Sequence, residues 1–185
     1  MKNNFEIYND ELNVYVHLTV NSSKIGKIIL TFFVSLLVGI LFYIPFTIPE
    51  ENISEFIFPL LIFGIMVFAF PVRYLLWNLF GKENLIINTK SISYNREYGI
   101  FISNLKTLNH NRLATAFEWS RTFDNIEYGN IIFEKLNDKT DLPEHLYTTS
   151  IALTIEDIKI IENEISKLYE NKMTDEYNFH PISLN

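Results

Sequence analysis

Ile28–Pro49 reads IILTFFVSLLVGILFYIPFTIP, and Phe56–Val72 reads FIFPLLIFGIMVFAFPV. Neither stretch contains a charged residue. A helix needs about 20 consecutive apolar residues to cross a hydrocarbon core of about 30 Å. With no water in that core, each segment must satisfy its own backbone groups, which a helix does. The pattern predicts a transmembrane hairpin over residues 23–80, with helices at about 28–48 and 56–78. Two core helices of a soluble globule are the alternative, but uncharged runs this long, joined by a short loop, are out of proportion to a chain of 185 residues. Pro59, Gly39 and Gly64 are tolerated inside such helices. Pro71 lacks an N–H and is expected to kink the end of the second one.

The flanks set an expected orientation. Lys24 and Lys27 precede the first helix, and Arg73 and Lys82 follow the second. The connecting loop TIPEENISE carries Glu50, Glu51 and Glu55 and no basic residue. Positively charged flanks stay inside, so both termini are expected in the cytoplasm and the protein in the inner (cytoplasmic) membrane. Arg73 can snorkel to the headgroups, and Tyr43, Tyr74 and Trp77 fall where interfacial aromatics gather. No ionisable residue lies deep in either span, which argues against proton relays and ion pathways. The N-terminus lacks the pattern of a signal peptide.

Composition bounds the rest. The net charge is −7, and from residue 83 onward 16 Asp or Glu face 10 Lys or Arg. An acidic head is a poor partner for nucleic acid, whose phosphates call for clustered Lys and Arg. The absence of cysteine removes disulfides, thiolate metal sites and Cys nucleophiles.

Outside the hairpin the hydrophobic period changes. Phe5–Tyr8 and Leu12–Val20 read as strands within an N-terminal segment, residues 1–22, and Asn9-Asp10 supplies turn residues between them. Leu85 and Ile87, Ser91–Tyr94, Tyr98–Ile102, Leu113–Trp119 and Asn130–Leu136 are further strand candidates. Ile155, Ile158, Ile161, Ile165 and Leu168 recur at steps of three and four, which predicts an amphipathic helix capped by Thr154. Residues 83–172 form the expected head, and residues 173–185 read as a flexible tail.

The stretch Leu76–Leu113, with Leu76-Trp77, Phe80-Gly81-Lys82-Glu83 and Gly99-Ile100, resembles bacterial pleckstrin-homology-like domains that follow a two-helix anchor. The resemblance spans about residues 75–172. It implies an α+β head: a curved sheet or partly open barrel closed by the C-terminal helix. Phosphoinositide-binding members of that wider fold carry a basic cluster between their first strands. Here only Lys90 and Arg96 stand near that place, beside Glu97, so headgroup recognition is not carried over.

Chemistry-bearing motifs are absent. His17, His110, His145 and His180 form no HExxH pattern, and the chain holds no P-loop, GxGxxG or GxSxG. Glu156-Asp157 favours the helix dipole at the start of the last helix. His110-Asn111-Arg112 reads as a solvated turn, with a contact site as the alternative, and Phe117 and Trp119 read by default as core aromatics, with an exposed patch as the alternative. The expectation is therefore a non-catalytic module without cofactor or metal. Its partners would be the bilayer and another membrane or membrane-proximal protein, with homo-oligomerisation open. The second reading is an accessory subunit of a larger membrane complex, packing through Ser35, Gly39 and Gly64; the third is an enzyme, which would need a polar cluster in a pocket around His110 or the Asp and Glu residues.

Overall fold

Ser23 starts the first helix: its Oγ accepts the Gly26 N–H at 3.0 Å, the role of an N-cap. In the computed structural model, which describes residues 5–49, 52–137, 140 and 142–177, α1 spans Lys24–Tyr43 and ends in a 3-10 turn at Ile44–Phe46. The chain returns through α2 (Ile53–Val67), a π-turn at Phe68–Val72 and α3 (Arg73–Phe80). Both helices start earlier than the sequence suggests, because Lys24 and Ser54 already lie inside helical turns. Pro71 falls in the π-turn. Its missing N–H is accommodated by the wider turn, so the helix continues for two further turns. Glu50 and Glu51, on which the orientation partly rests, lie outside the described residues.

The chain divides into two compact units: Val20–Lys82 with Glu97–Ile102, and the remainder. In the first unit, Lys24–Phe46 and Ser54–Phe80 are long and apolar enough to cross a membrane, and only 6% of each apolar window is buried. At 1.5 Å per residue these helices are about 34 and 40 Å long. Their mutual contact is narrow. Val34 and Val67 are buried, and a Cβ at Gly64 would lie 3.6 Å from the Leu41 side chain. A Cβ at Gly39 would meet nothing within 4 Å. The hairpin's ends are joined: the Val20 N–H donates to the Gly81 carbonyl at 3.0 Å, and Ser22 Oγ to Asn78 Oδ1 at 2.7 Å.

The second unit is α+β. A five-stranded sheet has the order β1-β2-β3-β4-β5: Phe5–Asn9, Val14–Thr19, Lys82–Ile87, Ser91–Glu97 and Lys106–Asn109. The strands before and after the hairpin are thus neighbours in one sheet. His17 meets Asn84 and Asn13 meets Asn88, so β2 and β3 run antiparallel. A second sheet holds β6 (Leu113–Phe123), β7 (Ile126–Leu136), β8 (Pro143–Thr148) and the short β9 (Leu153–Thr154). Among the described residues strands pair only within each sheet, so the sheets do not close into a barrel.

Local chemistry sets the turns. Glu11 takes φ +72°, while Asp10 Oδ1 accepts the N–H groups of Leu12 and Asn13, an Asx turn. Those bonds, the Asn13 N–H foremost, hold the Asp10 carboxyl below its usual range. Asp124 and Asn125, at φ +51° and +61°, form the two-residue turn between β6 and β7. Tyr98–Ile102 is not a strand. Gly99 at φ +84° breaks the extension, and the Tyr98 N–H donates to the Phe101 carbonyl at 2.9 Å.

Burial alternates along β2, β3 and the second half of β7. Val14, Val16, Leu18, Leu85, Ile87, Ile131 and Phe133 are fully enclosed, each contributing about 1.5–3 kcal/mol of transfer free energy. α4 (Ile155–Tyr177) lays Ile158, Ile161, Ile165 and Leu168 on this surface. It touches β1, β2, β7 and β9, so one helix face spans both sheets. Thr154 Oγ1 accepts the Asp157 N–H at 3.1 Å, the cap its sequence suggests. The helix reaches Tyr177, past residue 172, and the rest of the expected tail lies outside the described residues.

Tyr169 Oη is buried with no hydrogen-bond partner among the described residues, and burial pushes the phenol up to about 12. Removing an unsatisfied hydroxyl releases its desolvation cost. Tyr169→Phe is therefore expected to leave stability unchanged or raise it by up to about 1 kcal/mol, read from the denaturation midpoint. A clear loss of stability would show that the hydroxyl has a partner.

Candidate functional site

Among the described residues of the second unit, three places stand out as candidate sites. The first is a buried carboxylate. Glu83 lies one residue into β3 and shares the inward phase of Leu85 and Ile87, so the strand carries it into the core. It is fully buried. Its Oε2 accepts the Ser150 N–H at 2.8 Å and the Ile151 N–H at 3.3 Å. Tyr147 Oη donates to Oε1, and Arg96 Nε lies 3.7 Å from the same oxygen. Arg96 Nη2 also reaches Tyr147 Oη at 3.4 Å, and Tyr94 stacks on Tyr147 with ring centres 3.9 Å apart.

Burial pushes Glu83 above its usual carboxylate value; Tyr147, Ser150, Arg96 and Ile151 oppose that shift. Burial and then the charge of Glu83 push Tyr147 upward too, so Tyr147 stays protonated and remains the donor. Glu83, Arg96 and Tyr94 belong to the first sheet, Tyr147 to the second, and Ser150 and Ile151 to the β8–β9 link. The cluster is an ionic staple between sheets. Arg96 is turned to this internal cluster.

The second place is a cleft of about 380 Å³ lined by Asn109, His110, Asn111, Lys135, Leu136, Asn137 and Glu144. Lys135 Nζ pairs with Glu144 Oε2 at 3.0 Å, and Asn137 Nδ2 donates to Glu144 Oε1 at 2.6 Å. Asn137 and then Lys135 hold the Glu144 carboxyl below its usual range. His110 is not the solvated turn residue its neighbours suggest: it is 5% exposed. Its N–H donates to the Lys90 carbonyl at 2.9 Å, which draws it beneath the β3–β4 turn. Neither ring nitrogen makes a hydrogen bond of normal geometry. Burial lowers its pKa against the pull of the Asn88 and Ser91 carbonyls, so the ring is neutral. Asn111 and Arg112 are exposed. The cleft offers amides and a self-paired ion pair, a surface suited to hydrogen-bonded recognition.

The third place is β6. It is the outer strand of the second sheet, and from Phe117 to Phe123 every residue is exposed. Phe117 and Trp119 therefore do not join the core; Trp119 is 60% exposed. As an edge strand, β6 has a hydrogen-bonded neighbour on one side only. A bulge at Ser120 shifts its register against β7, and Arg121 lies over the Tyr128 ring at 5.6 Å. Gly129 faces Trp119 across the ladder, and a Cβ there would strike the Phe117 ring and the Glu118 carbonyl.

The remaining histidines are scattered. His17 Nδ1 pairs with Asn84 Oδ1 at 2.7 Å, and His145 Nε2 with Thr148 Oγ1 at 2.8 Å. His180 lies outside the described residues. Among the described residues no group of three His, Cys, Asp or Glu side chains converges as a metal site. Glu156 and Asp157 sit in the first turn of α4. Sequence reasoning missed Glu83 as a site residue. The available signal was an acid placed in phase with two inward aliphatic residues. No family model matches the chain, and neither a curated protein nor a solved structure matches it.

Proposed function

We propose that the chain is an integral, non-catalytic binding or scaffolding module of the cytoplasmic membrane, with both termini in the cytoplasm. The observation that carries this reading is the uncovered hairpin. Two helices of membrane-spanning length leave most of their Phe, Ile and Leu side chains exposed and only 6% of each apolar window buried, and a soluble protein does not expose a continuous apolar surface of that size. The head is read as PH-like. An antiparallel strand order followed by a C-terminal helix packed on both sheets supports that reading. Tethering to a bilayer raises the head's effective concentration toward membrane partners.

The binding face in this reading is β6. Its free edge presents main-chain donors and acceptors to an extended peptide, and Phe117, Trp119 and Phe123 supply apolar anchors. The test exploits the absence of native cysteine. A cysteine at Asn52 is expected to react with an impermeant thiol reagent on intact cells, and one at Thr140 only after lysis. A photocrosslinker at Thr122 in native membranes is expected to capture a discrete protein. Reversed labelling sinks the orientation, and the absence of any discrete adduct at Thr122 sinks the binding face.

One observation favours the accessory-subunit reading. Ser35 and Gly39, four residues apart on α1, are exposed and leave room for another helix to approach closely. Gly39→Leu is then expected to release the protein from a large assembly on native sizing in mild detergent.

A further inference from the structure

Arg73 is the one charge in the second apolar helix between Glu55 and Lys82, and a loop satisfies it. Its Nη2 donates to Tyr98 Oη at 2.9 Å, and its guanidinium lies 4.8 Å from the Tyr98 ring centre. Trp77 packs against that tyrosine at 5.2 Å, and Phe101 stacks on it at 4.7 Å. Phe80 occupies the space a side chain at Gly99 would need, its Cβ 2.9 Å from that position. The β4–β5 turn is thereby clamped to the last two turns of α3.

Held there, the turn points its apolar side chains outward. Ile100 is 80% and Ile102 61% exposed, with Phe101 between them also exposed. Three consecutive large apolar residues at the tip of a tight turn are a poor surface in water. The local charge points the same way. In a chain of net charge −7, no Asp or Glu occurs from Tyr98 to Phe117. The residues that clamp the turn, Arg73, Trp77 and Tyr98, are the types that collect at the headgroup level of a bilayer.

We propose that the Gly99–Ile102 turn is a third membrane contact, seating Ile100, Phe101 and Ile102 at the headgroup–acyl boundary beside α3. This rests on the reading that the hairpin crosses the bilayer. The occupant of the apolar tip is lipid, because the tip continues the apolar surface of a helix that lipid already covers. The helix end and the turn then form one interfacial footprint, and Arg73 keeps its charge near the headgroups with Tyr98 as a fixed partner.

The test uses the full chain, with single cysteines carrying an environment-sensitive fluorophore, in phosphatidylcholine–phosphatidylglycerol vesicles. Labels go on Ile100→Cys, Ile102→Cys, Leu36→Cys in mid-α1, and Thr122→Cys in the head. Nitroxide lipids quench either near the headgroup or near the chain ends, and iodide quenches from water. The Ile100 and Ile102 labels are expected to be blue-shifted relative to Thr122 and quenched more by the shallow nitroxide than by the deep one. The Leu36 label should be quenched more by the deep one. If Leu36 is deep while Ile100 and Ile102 are reached by iodide as readily as Thr122, the loop contact is wrong and the hairpin stands. If iodide reaches Leu36, the hairpin reading falls and takes the loop contact with it.

Discussion

Glu83→Ala is expected to destabilise the head by about 3–5 kcal/mol, the cost of removing one partner from a buried ionic cluster. The Ser150 and Ile151 N–H groups, the Tyr147 hydroxyl and the Arg96 guanidinium all lose their shared acceptor. Domains of this size are stable by about 5–15 kcal/mol, so a large fraction of the margin goes. Near-UV circular dichroism of the detergent-solubilised chain, followed through a urea titration, measures it. Glu144→Ala, on an exposed pair, is expected to leave the midpoint where it was. Equal effects from the two substitutions would remove the staple from the account.

The staple also has a pH signature. Burial holds Glu83 above its usual value in the folded chain, so the folded state binds its proton more tightly than the unfolded state. That contribution to stability is fully present below the usual carboxylate pKa and is lost as pH rises through the folded value. Asp10, Glu144 and Glu164 are shifted downward and tilt stability the other way. The difference between wild type and Glu83→Gln isolates the one group. It is expected to fall with rising pH across the weakly acidic range and then level off.

Leu36→Arg is the second large effect. Leu36 sits near the middle of the Lys24–Phe46 helix. An arginine at the centre of a spanning helix costs about 2.5–3.5 kcal/mol of insertion free energy, a factor of about one hundred in the insertion equilibrium. The fraction resisting alkaline extraction from membranes should drop accordingly. Leu12→Arg, on an exposed turn of the head, should not change it. Unaltered extraction of the Leu36 variant would mean that α1 is not a span. In the same reading, Arg73 escapes this cost by lying near the helix end and by having Tyr98 as its partner.

The parts of the fold that were legible are those where one physical signal dominates. Length and lack of charge marked both apolar helices. The Ile158, Ile161, Ile165 and Leu168 stripe marked the face of α4, and alternation marked β2 and β3. Illegible were β5 and β8: in Lys106–Asn109 and Pro143–Thr148 apolar alternation is weak, because ladder partners rather than a buried face define them. Trp119 was misplaced because residue type does not reveal that its strand lies at an edge. His110 was misplaced because its burial comes from a long-range bond to Lys90. The Glu83 cluster joins residues 64 to 68 positions apart, a separation that no local pattern encodes.

The insertion of the hairpin between neighbouring strands also dictates an order of manufacture. When β1 and β2 leave the ribosome, the strand that β2 pairs with lies more than sixty residues away and has not been made. A lone two-stranded hairpin is marginal in water. If the hairpin spans the bilayer as proposed, β2 therefore waits, unpaired on one edge, until both helices are inserted and β3 emerges beside it. In that reading, folding of the two-sheet unit is gated by the membrane step, and a chain stalled at insertion exposes an open strand edge for quality control to find.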